Sequence, residues 1–381
     1  MPKRVLLTGA GGFIGSHCVQ YWLENTDWEI ICLDSFRHKG YVSRIQEVGG
    51  RLANINWTGD WEKRVKIYTH DLTVPIDPPL ENLIMGRSLD DRGVVTEKPL
   101  HAIVSMASDS AVERSATDPT HCWHNNCTLI ATMLEFARKV KPGIFLQVST
   151  DEVYGEAPPK PHPGHHEWDV IMPSNPYAAS KAAQEALCVA YWRTYKVPVV
   201  ITNCMNIVAE WQDPEKFLPK IIQFVAQGKK DMPIYADRVV EPEEGKGYTR
   251  DSFNHMEGNI AWNIGSRVYL DARNKADALM FLMNQPPVMY DGTGHNRPDR
   301  YNICGDVEVN NLELAQMVAE IMGKKLEYKL VPSESARPGY DRRYALDGAK
   351  LREMGWKQPI SFRETLERVV KWSMAHPHWL V

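Results

Sequence analysis

The sequence predicts an α/β protein: a doubly wound parallel sheet followed by a smaller C-terminal α/β domain. Three observations carry this expectation. Short apolar runs alternate with helix-like segments through the first half of the chain. The first run opens directly into a glycine-rich turn, and the second ends in an acid. Later runs end in small or reactive residues, at the strand ends where open parallel sheets bind ligands.

Taken in order, Arg4 to Thr8 is a β-type run. It is followed by Gly9-Ala-Gly-Gly-Phe-Ile-Gly15 and a helix-like segment through Leu23. Glu29 to Leu33 is the next run, and Asp34 closes it. This β-glycine-α-β-acid unit is the dinucleotide-binding arrangement of a Rossmann-type sheet. The glycines admit a pyrophosphate to the backbone, the helix N-terminus attracts it, and the acid accepts both ribose hydroxyls. Arg37 and His38 are placed to hold a 2′-phosphate, but Asp34 would repel one, so NAD is expected rather than NADP. Val65 to His70 leads to Asp71, a partner for the adenine amine. His101 to Met106 ends at Ala107-Ser108, small enough for a cofactor to lie against. A helix is expected over residues 122–139, and a further strand, 144–148, delivers Ser149 to Glu152 at its C-terminal end.

Composition is that of an ordinary globular protein: 381 residues, 43% hydrophobic and 24% charged. A net charge of -4 provides no general basic field for nucleic acid or anionic lipid. No apolar stretch approaches the roughly 18 residues of a membrane span. The seven cysteines are scattered without a C-x-x-C pair, which reads as reduced thiols of a cytoplasmic protein. His162, His165 and His166 lie in a Pro-rich loop without the accompanying spacing of a metal site, so no metal is expected.

The chemistry is written in two strips, Ser149-Thr-Asp-Glu-Val-Tyr-Gly155 and Tyr177-Ala-Ala-Ser-Lys181. On a helix, Tyr177 and Lys181 share a face. A lysine cation and an oxidised nicotinamide both stabilise tyrosinate, bringing a phenol of pKa about 10 into working range. That pair alone moves hydride. The neighbouring Asp151 and Glu152 suggest that C–H and C–O bonds are broken as well, because two close carboxyls tend to divide into one proton donor and one base. Tyr154 is expected to be a packing residue.

With these strips, Thr8-Gly-Ala-Gly-Gly-Phe-Ile-Gly15, Pro214-Glu-Lys-Phe-Leu-Pro219, Tyr301-Asn-Ile303 and Arg337-Pro-Gly-Tyr-Asp-Arg-Arg-Tyr344, the chain resembles the extended short-chain dehydrogenase/reductases, in particular their nucleotide-sugar 4,6-dehydratase branch. The resemblance covers nearly the full length. It implies a redox-neutral cycle. Tyr177 takes the proton of the sugar C4 hydroxyl as hydride passes to NAD, and Thr150 hydrogen-bonds the C4 oxygen. Glu152 removes the C5 proton, Asp151 protonates the departing C6 hydroxyl, and hydride returns to C6. Implied cofactor contacts are Gly9, Gly12, Phe13, Ile14, Gly15, Asp34, Asp71, Leu72, Met106, Ala107 and Ser108, with Tyr177 and Lys181. Implied contacts to a nucleotide-diphosphate sugar are Ser110, Asn206, Lys216, Arg267, Asn302, Arg337 and Tyr340. The implied assembly is a homodimer, paired through helices including residues 122–139 and 177–195.

The chain departs from the family at Tyr340, where many members have histidine, and at two further places. Ala111 replaces a histidine in Ala107-Ser-Asp-Ser-Ala-Val-Glu-Arg-Ser115, and Val208-Ala209-Glu210 replaces Tyr-Gly-Pro. The expected domains are an NAD-binding domain over 1–204, with a returning segment near 262–300, and a sugar-nucleotide domain over 205–381. Residues 238–264 read as an inserted surface loop, with a lid as the alternative, and residues 55–64 and 78–98 as peripheral elaborations. Two alternatives stand beside this reading: 4-epimerisation or decarboxylation on this scaffold, and a catalytically silent NAD-binding protein, against which Tyr177, Lys181, Asp151 and Glu152 argue.

Overall fold

A computed structural model of the chain describes residues 2–37, 39–54, 59–239, 253–292, 294, 296–333, 339 and 341–380. The chain divides into two compact units. One comprises Met1–Val153, Pro176–Asn203 and Ala272–Tyr301, and the other Tyr154–Asn175, Cys204–Asp271 and Asn302–Val381.

The first unit is built on a seven-stranded sheet. From one edge its strands are Asp299–Ile303, Val199–Cys204, Ile144–Val148, Ala102–Ser105, Arg4–Thr8, Glu29–Asp34 and Val65–Thr69. The pairings from Val199–Cys204 across to Val65–Thr69 are parallel. Arg4–Thr8, Ala102–Ser105, Ile144–Val148 and Val199–Cys204 are buried along their whole length. That is why they read as unbroken apolar runs rather than alternating ones. Each buried Leu or Ile contributes roughly 1.5–3 kcal/mol. Trp22 and Trp192 are also fully buried, and their indole N–H groups donate to the carbonyls of Ala276 and Val288, so neither ring strands a donor.

Successive strands run outward from Arg4–Thr8 to Val65–Thr69, and the chain then returns to the other side at Ala102–Ser105. This reversal opens a crevice at the carboxyl ends of those two central strands. The helix expected over 122–139 spans Pro119–Val140, started by Pro119 and capped by Asp118, which accepts from His121 N–H at 3.1 Å. The helix bearing Tyr177 spans Pro176–Tyr195. Residues 78–98 form the helix Pro78–Met85 and a small hairpin of Ser88–Leu89 with Val95–Thr96.

The second unit contains two small sheets. In one the order is His255–Glu257, Ile260–Ile264, Met232–Arg238 and Tyr328–Pro332. In the other Ser266–Asp271 pairs with Glu308–Asn310, Arg343–Tyr344 and Asn206–Val208. Helices Phe217–Ala226, Asn311–Ile321 and Phe362–Ala375 supply Ile221, Ile222, Val318 and Leu366 to its core. The last two of these helices open with complete capping boxes, Asn310 with Glu313 and Ser361 with Glu364.

The described part of 238–264 differs from the expected surface loop. Residues 255–264 form an antiparallel hairpin turned by Gly258-Asn259, with Gly258 at φ +58°. The apolar positions Ile260, Ala261 and Trp262 earn a place in the sheet that the Glu- and Gly-rich stretch before them conceals in the sequence. No disulfide joins the cysteines, and all but Cys127 are buried. Burial pushes the Cys32 and Cys188 thiols up, away from the reactive thiolate form. No helix among the described residues is long and apolar enough to cross a membrane.

Candidate active site

The glycine turn is shaped for close backbone approach. Gly9 stands at φ +72°, where a Cβ would lie 2.9 Å from the Ala107 Cα. A Cβ on Gly15 would lie 2.2 Å from the Gly9 carbonyl oxygen. Gly12 is the N-cap of helix Phe13–Asn25 and brings no side-chain bond to its first turn, which leaves that turn to an anionic ligand. Phe13, Ile14 and Gly15 form this turn. Thr8, at the end of the first strand, accepts through Oγ1 from the N–H groups of Met106 and Ala107 at 3.0 and 3.1 Å. The two central strand ends are thereby joined where the chain reverses.

Asp34 is positioned by its own loop. One carboxylate oxygen accepts from Gly11 N–H and the other from Phe36 N–H, both at 2.9 Å. Arg37, the residue able to favour a 2′-phosphate, pairs with Asp71 at 2.6 Å. Burial pushes the Asp71 carboxyl up. Hydrogen bonds from Thr73, with the charges of Arg37 and His70, outweigh burial and hold it below the usual carboxylate range. Leu72 is buried, whereas Met106, Ala107 and Ser108 are half-buried beyond Ala102–Ser105. The cradle, the acid and an arginine engaged elsewhere fit an NAD molecule. His38 lies outside the described residues.

Tyr177 and Lys181 lie in the first two turns of Pro176–Tyr195, and both are buried. Lys181 Nζ donates to the Val148 carbonyl at 2.6 Å and to Gln184 Oε1 at 2.7 Å. Gln184 is held in turn by Gln147 Nε2 at 2.9 Å and by its own donation to the Asn126 carbonyl at 2.8 Å. Val148 ends the strand that leads to Thr150, Asp151 and Glu152. The lysine therefore ties its helix to the strand carrying the carboxyls. A 3-10 turn spans Asp151–Tyr154. Thr150 Oγ1 donates to Asp151 Oδ1 at 3.0 Å and accepts from Glu152 N–H at 3.4 Å. Asp151 is 4% exposed, while Glu152 is only partly buried, so neighbouring acids meet different surroundings. Tyr154 packs as expected: its hydroxyl donates to the Glu167 carbonyl at 2.8 Å and its ring stacks on His165.

Near the Ala111 departure, Asp109 accepts from Arg114 at 2.5 Å and from Ala111 N–H at 3.3 Å. Ser110 is exposed. In the second unit, Asn206 opens a strand in register with Tyr269. Lys216 is the N-cap of Phe217–Ala226, with Nζ 3.8 Å from Glu215. Arg267 donates to the carbonyls of Ser266, Asp341 and Arg342, and lies over the Tyr344 ring. Asn302 Nδ2 donates to the carbonyls of His165 and Asp347. Arg337 and Tyr340 lie outside the described residues. At the other departure, buried Glu210 accepts from Arg368 Nε at 2.9 Å, Arg368 also pairs with Asp271, and Trp211 at φ +62° packs on Trp372. Glu210 and the Trp211 that follows it thus fasten this loop to helix Phe362–Ala375.

Gln184, Glu185, Asn203 and Arg300, which no sequence motif marks, make buried polar contacts among the strands and helix of the first unit. One signal was available: Glu185 is a helical turn beyond Lys181, on the same face.

The profile of the NAD dependent epimerase/dehydratase family matches residues 5–245, and the chain belongs to that family. Over 99% of its length it is 28% identical to dTDP-glucose 4,6-dehydratase of Escherichia coli, covering 94% of that protein. It is 29% identical, again over 99% of its length, to 48% of the trifunctional UDP-glucose 4,6-dehydratase/UDP-4-keto-6-deoxy-D-glucose 3,5-epimerase/UDP-4-keto-L-rhamnose-reductase RHM2 of Arabidopsis thaliana. Among solved structures, it is similar to the dTDP-glucose 4,6-dehydratase DesIV of Streptomyces venezuelae with NAD and TYD bound. The TM-score is 0.74 and the identity 27%, covering 99% of this chain and 98% of that one.

Proposed function

We propose that this protein is an NAD-dependent hydro-lyase that converts a nucleoside-diphosphate hexose of the dTDP- or UDP-glucose type to its 4-keto-6-deoxy derivative. The observation that carries this reading is the joining of the Tyr177–Lys181 helix, through Lys181 Nζ and the Val148 carbonyl, to the strand that ends in Thr150-Asp151-Glu152. NAD held in the glycine cradle would supply a reversible hydride acceptor, taking up the C4 hydride and giving it back at C6, with no net oxidation. Tyr177 accepts the C4 hydroxyl proton and Thr150 hydrogen-bonds the C4 oxygen. The C4 ketone acidifies C5–H, and Glu152 removes that proton. Asp151, the more buried acid, protonates the departing C6 oxygen, and water leaves. Glu152 returns its proton to C5, saturating the transient C5–C6 double bond.

Ser110, Asn206, Lys216, Arg267, Asn302, Arg337 and Tyr340 are the proposed substrate contacts. The enzyme is read as a cytoplasmic homodimer, supported by the buried cysteines and by Trp123 standing 46% exposed on helix Pro119–Val140. Sedimentation analysis of the purified protein checks the dimer. The activity is tested by incubation with dTDP-, UDP-, GDP- and CDP-hexoses and product identification by mass and NMR. A 4-keto-6-deoxy sugar is expected, with loss of about 100-fold or more in Asp151→Asn and Glu152→Gln. Formation of a C4 epimer alone would sink the proposal.

A further inference from the structure

A chain of buried polar groups runs from the edge strand Asp299–Ile303 to the reactive turn. Arg300 and Glu185 are each 1% exposed and Asn203 is fully buried. Arg300 Nη2 donates to Glu185 Oε2 at 2.5 Å. The other oxygen, Glu185 Oε1, accepts from Asn203 Nδ2 at 2.7 Å. The same amide nitrogen gives its second proton to the Thr150 carbonyl at 2.9 Å. Thr150 is the last residue before the turn Asp151–Tyr154. Glu185 lies one helical turn beyond Lys181 and two beyond Tyr177 on the same helix.

Stability is a poor explanation for this arrangement. A buried ion pair is commonly no more stable than a well-packed apolar pair of similar volume. Its effect on geometry is more specific. An asparagine amide has a donor end and an acceptor end. With a carboxylate beside it, the donor end must face Glu185, and its second proton then falls to the Thr150 carbonyl. The charge at Arg300 holds the carboxylate in place, the carboxylate fixes the amide orientation, and the amide fixes the carbonyl from which the reactive turn departs.

We propose that Arg300, Glu185 and Asn203 are positioning residues that set Thr150, Asp151 and Glu152 relative to Tyr177 and Lys181, and so govern water elimination, which uses both carboxyls, more strongly than C4 oxidation. This rests on the dehydratase reading above. Tyr177 and Lys181 stand on the helix itself and keep their geometry when the relay is cut. The carboxyls stand on the turn and lose theirs.

Two double variants separate the relay from simple packing. Both Glu185→Leu/Arg300→Met and Glu185→Gln/Arg300→Met remove the ion pair, but only the second keeps an acceptor for Asn203. Single-turnover reactions with dTDP- or UDP-glucose are quenched in acid, reduced with borodeuteride and analysed by mass spectrometry, which distinguishes undehydrated 4-ketohexose from 4-keto-6-deoxyhexose. In the Leu/Met variant elimination is expected to slow about 100-fold, as for a misplacement of about 1 Å, and 4-ketohexose accumulates. The Gln/Met variant is expected to lose less than the Leu/Met variant, because an acceptor for Asn203 remains although the charges that order it are gone. Equal losses in both variants, or none in either, overturn the relay. Absence of any dehydrated product from the wild-type protein overturns the proposed function itself, and the relay with it.

Discussion

A methyl group at Gly15 tests the cofactor cradle most directly. Built on the present backbone, its Cβ lies 2.2 Å from the Gly9 carbonyl oxygen and 2.8 Å from the Ala10 Cα, where real contacts stay above 3.0 Å. The start of helix Phe13–Asn25 must therefore withdraw from the turn by at least 0.8 Å, the gap between 2.2 and 3.0 Å. Overpacking of this kind costs roughly 1–3 kcal/mol. Because the displaced atoms are those proposed to meet the pyrophosphate, the Gly15→Ala variant is expected to lose about 5- to 150-fold in NAD affinity. Isothermal titration of protein stripped of cofactor measures this. Gly50→Ala is the control: it lies in helix Val42–Asn54 with nothing within 4 Å of the new methyl. It should leave affinity unchanged and add about 0.5–1 kcal/mol of stability. If Gly15→Ala bound NAD as tightly as the control, the assignment of this turn to the cofactor would be wrong.

Two further outcomes concern stability. Arg300→Met leaves Glu185 charged and buried without its cation, at an expected cost of about 3–5 kcal/mol, most of it recovered when Glu185→Leu is added. Urea unfolding measures both, and a single-variant cost below about 1 kcal/mol contradicts the buried pair. In the second unit, burial pushes the Glu308 carboxyl up. Hydrogen bonds from Arg343 and Ser266, with the charges of Arg343 and Lys160, outweigh it and hold the group below its ordinary range. A depressed folded value means stabilisation that is complete above the unfolded value, about 4.3, and lost as pH falls through the folded one. Glu308→Gln should therefore be less stable than wild type by about 1.5–3 kcal/mol near neutrality, with the difference shrinking below about pH 4. A difference that stays constant with pH contradicts this account.

What the sequence made legible was local. The glycine turn could be read because Gly9 needs positive φ and Gly15 has no room for a side chain. The buried parallel strands could be read as runs such as Val-Leu-Leu and Val-Val-Ile, and the Tyr177–Lys181 pair because helical spacing puts both on one face. What stayed hidden depends on partners far apart in the chain. Arg300 and Asn203 look like misplaced polar residues within apolar strands until each is seen beside Glu185. Glu210 reads as a defect in a familiar motif, yet it is half of a clasp whose other half, Arg368, lies in the last long helix. The stretch Tyr154–Asn175 joins the second unit because His165 and Glu167 accept from Asn302 there, and nothing in its Pro-rich composition announces that partner.

The interleaving of the two units bears on how the protein is made. At about 5–20 residues per second, a ribosome releases Glu185 on the order of ten seconds before Arg300, 115 positions later. Through that interval helix Pro176–Tyr195 carries a carboxylate that is expensive to bury alone, and the sheet lacks its strand Asp299–Ile303. The reactive turn thus lacks the full relay that holds it until Arg300 has emerged, although its own residues emerge early. No single cut in the gene separates one complete unit from the other, since each is gathered from three stretches of chain.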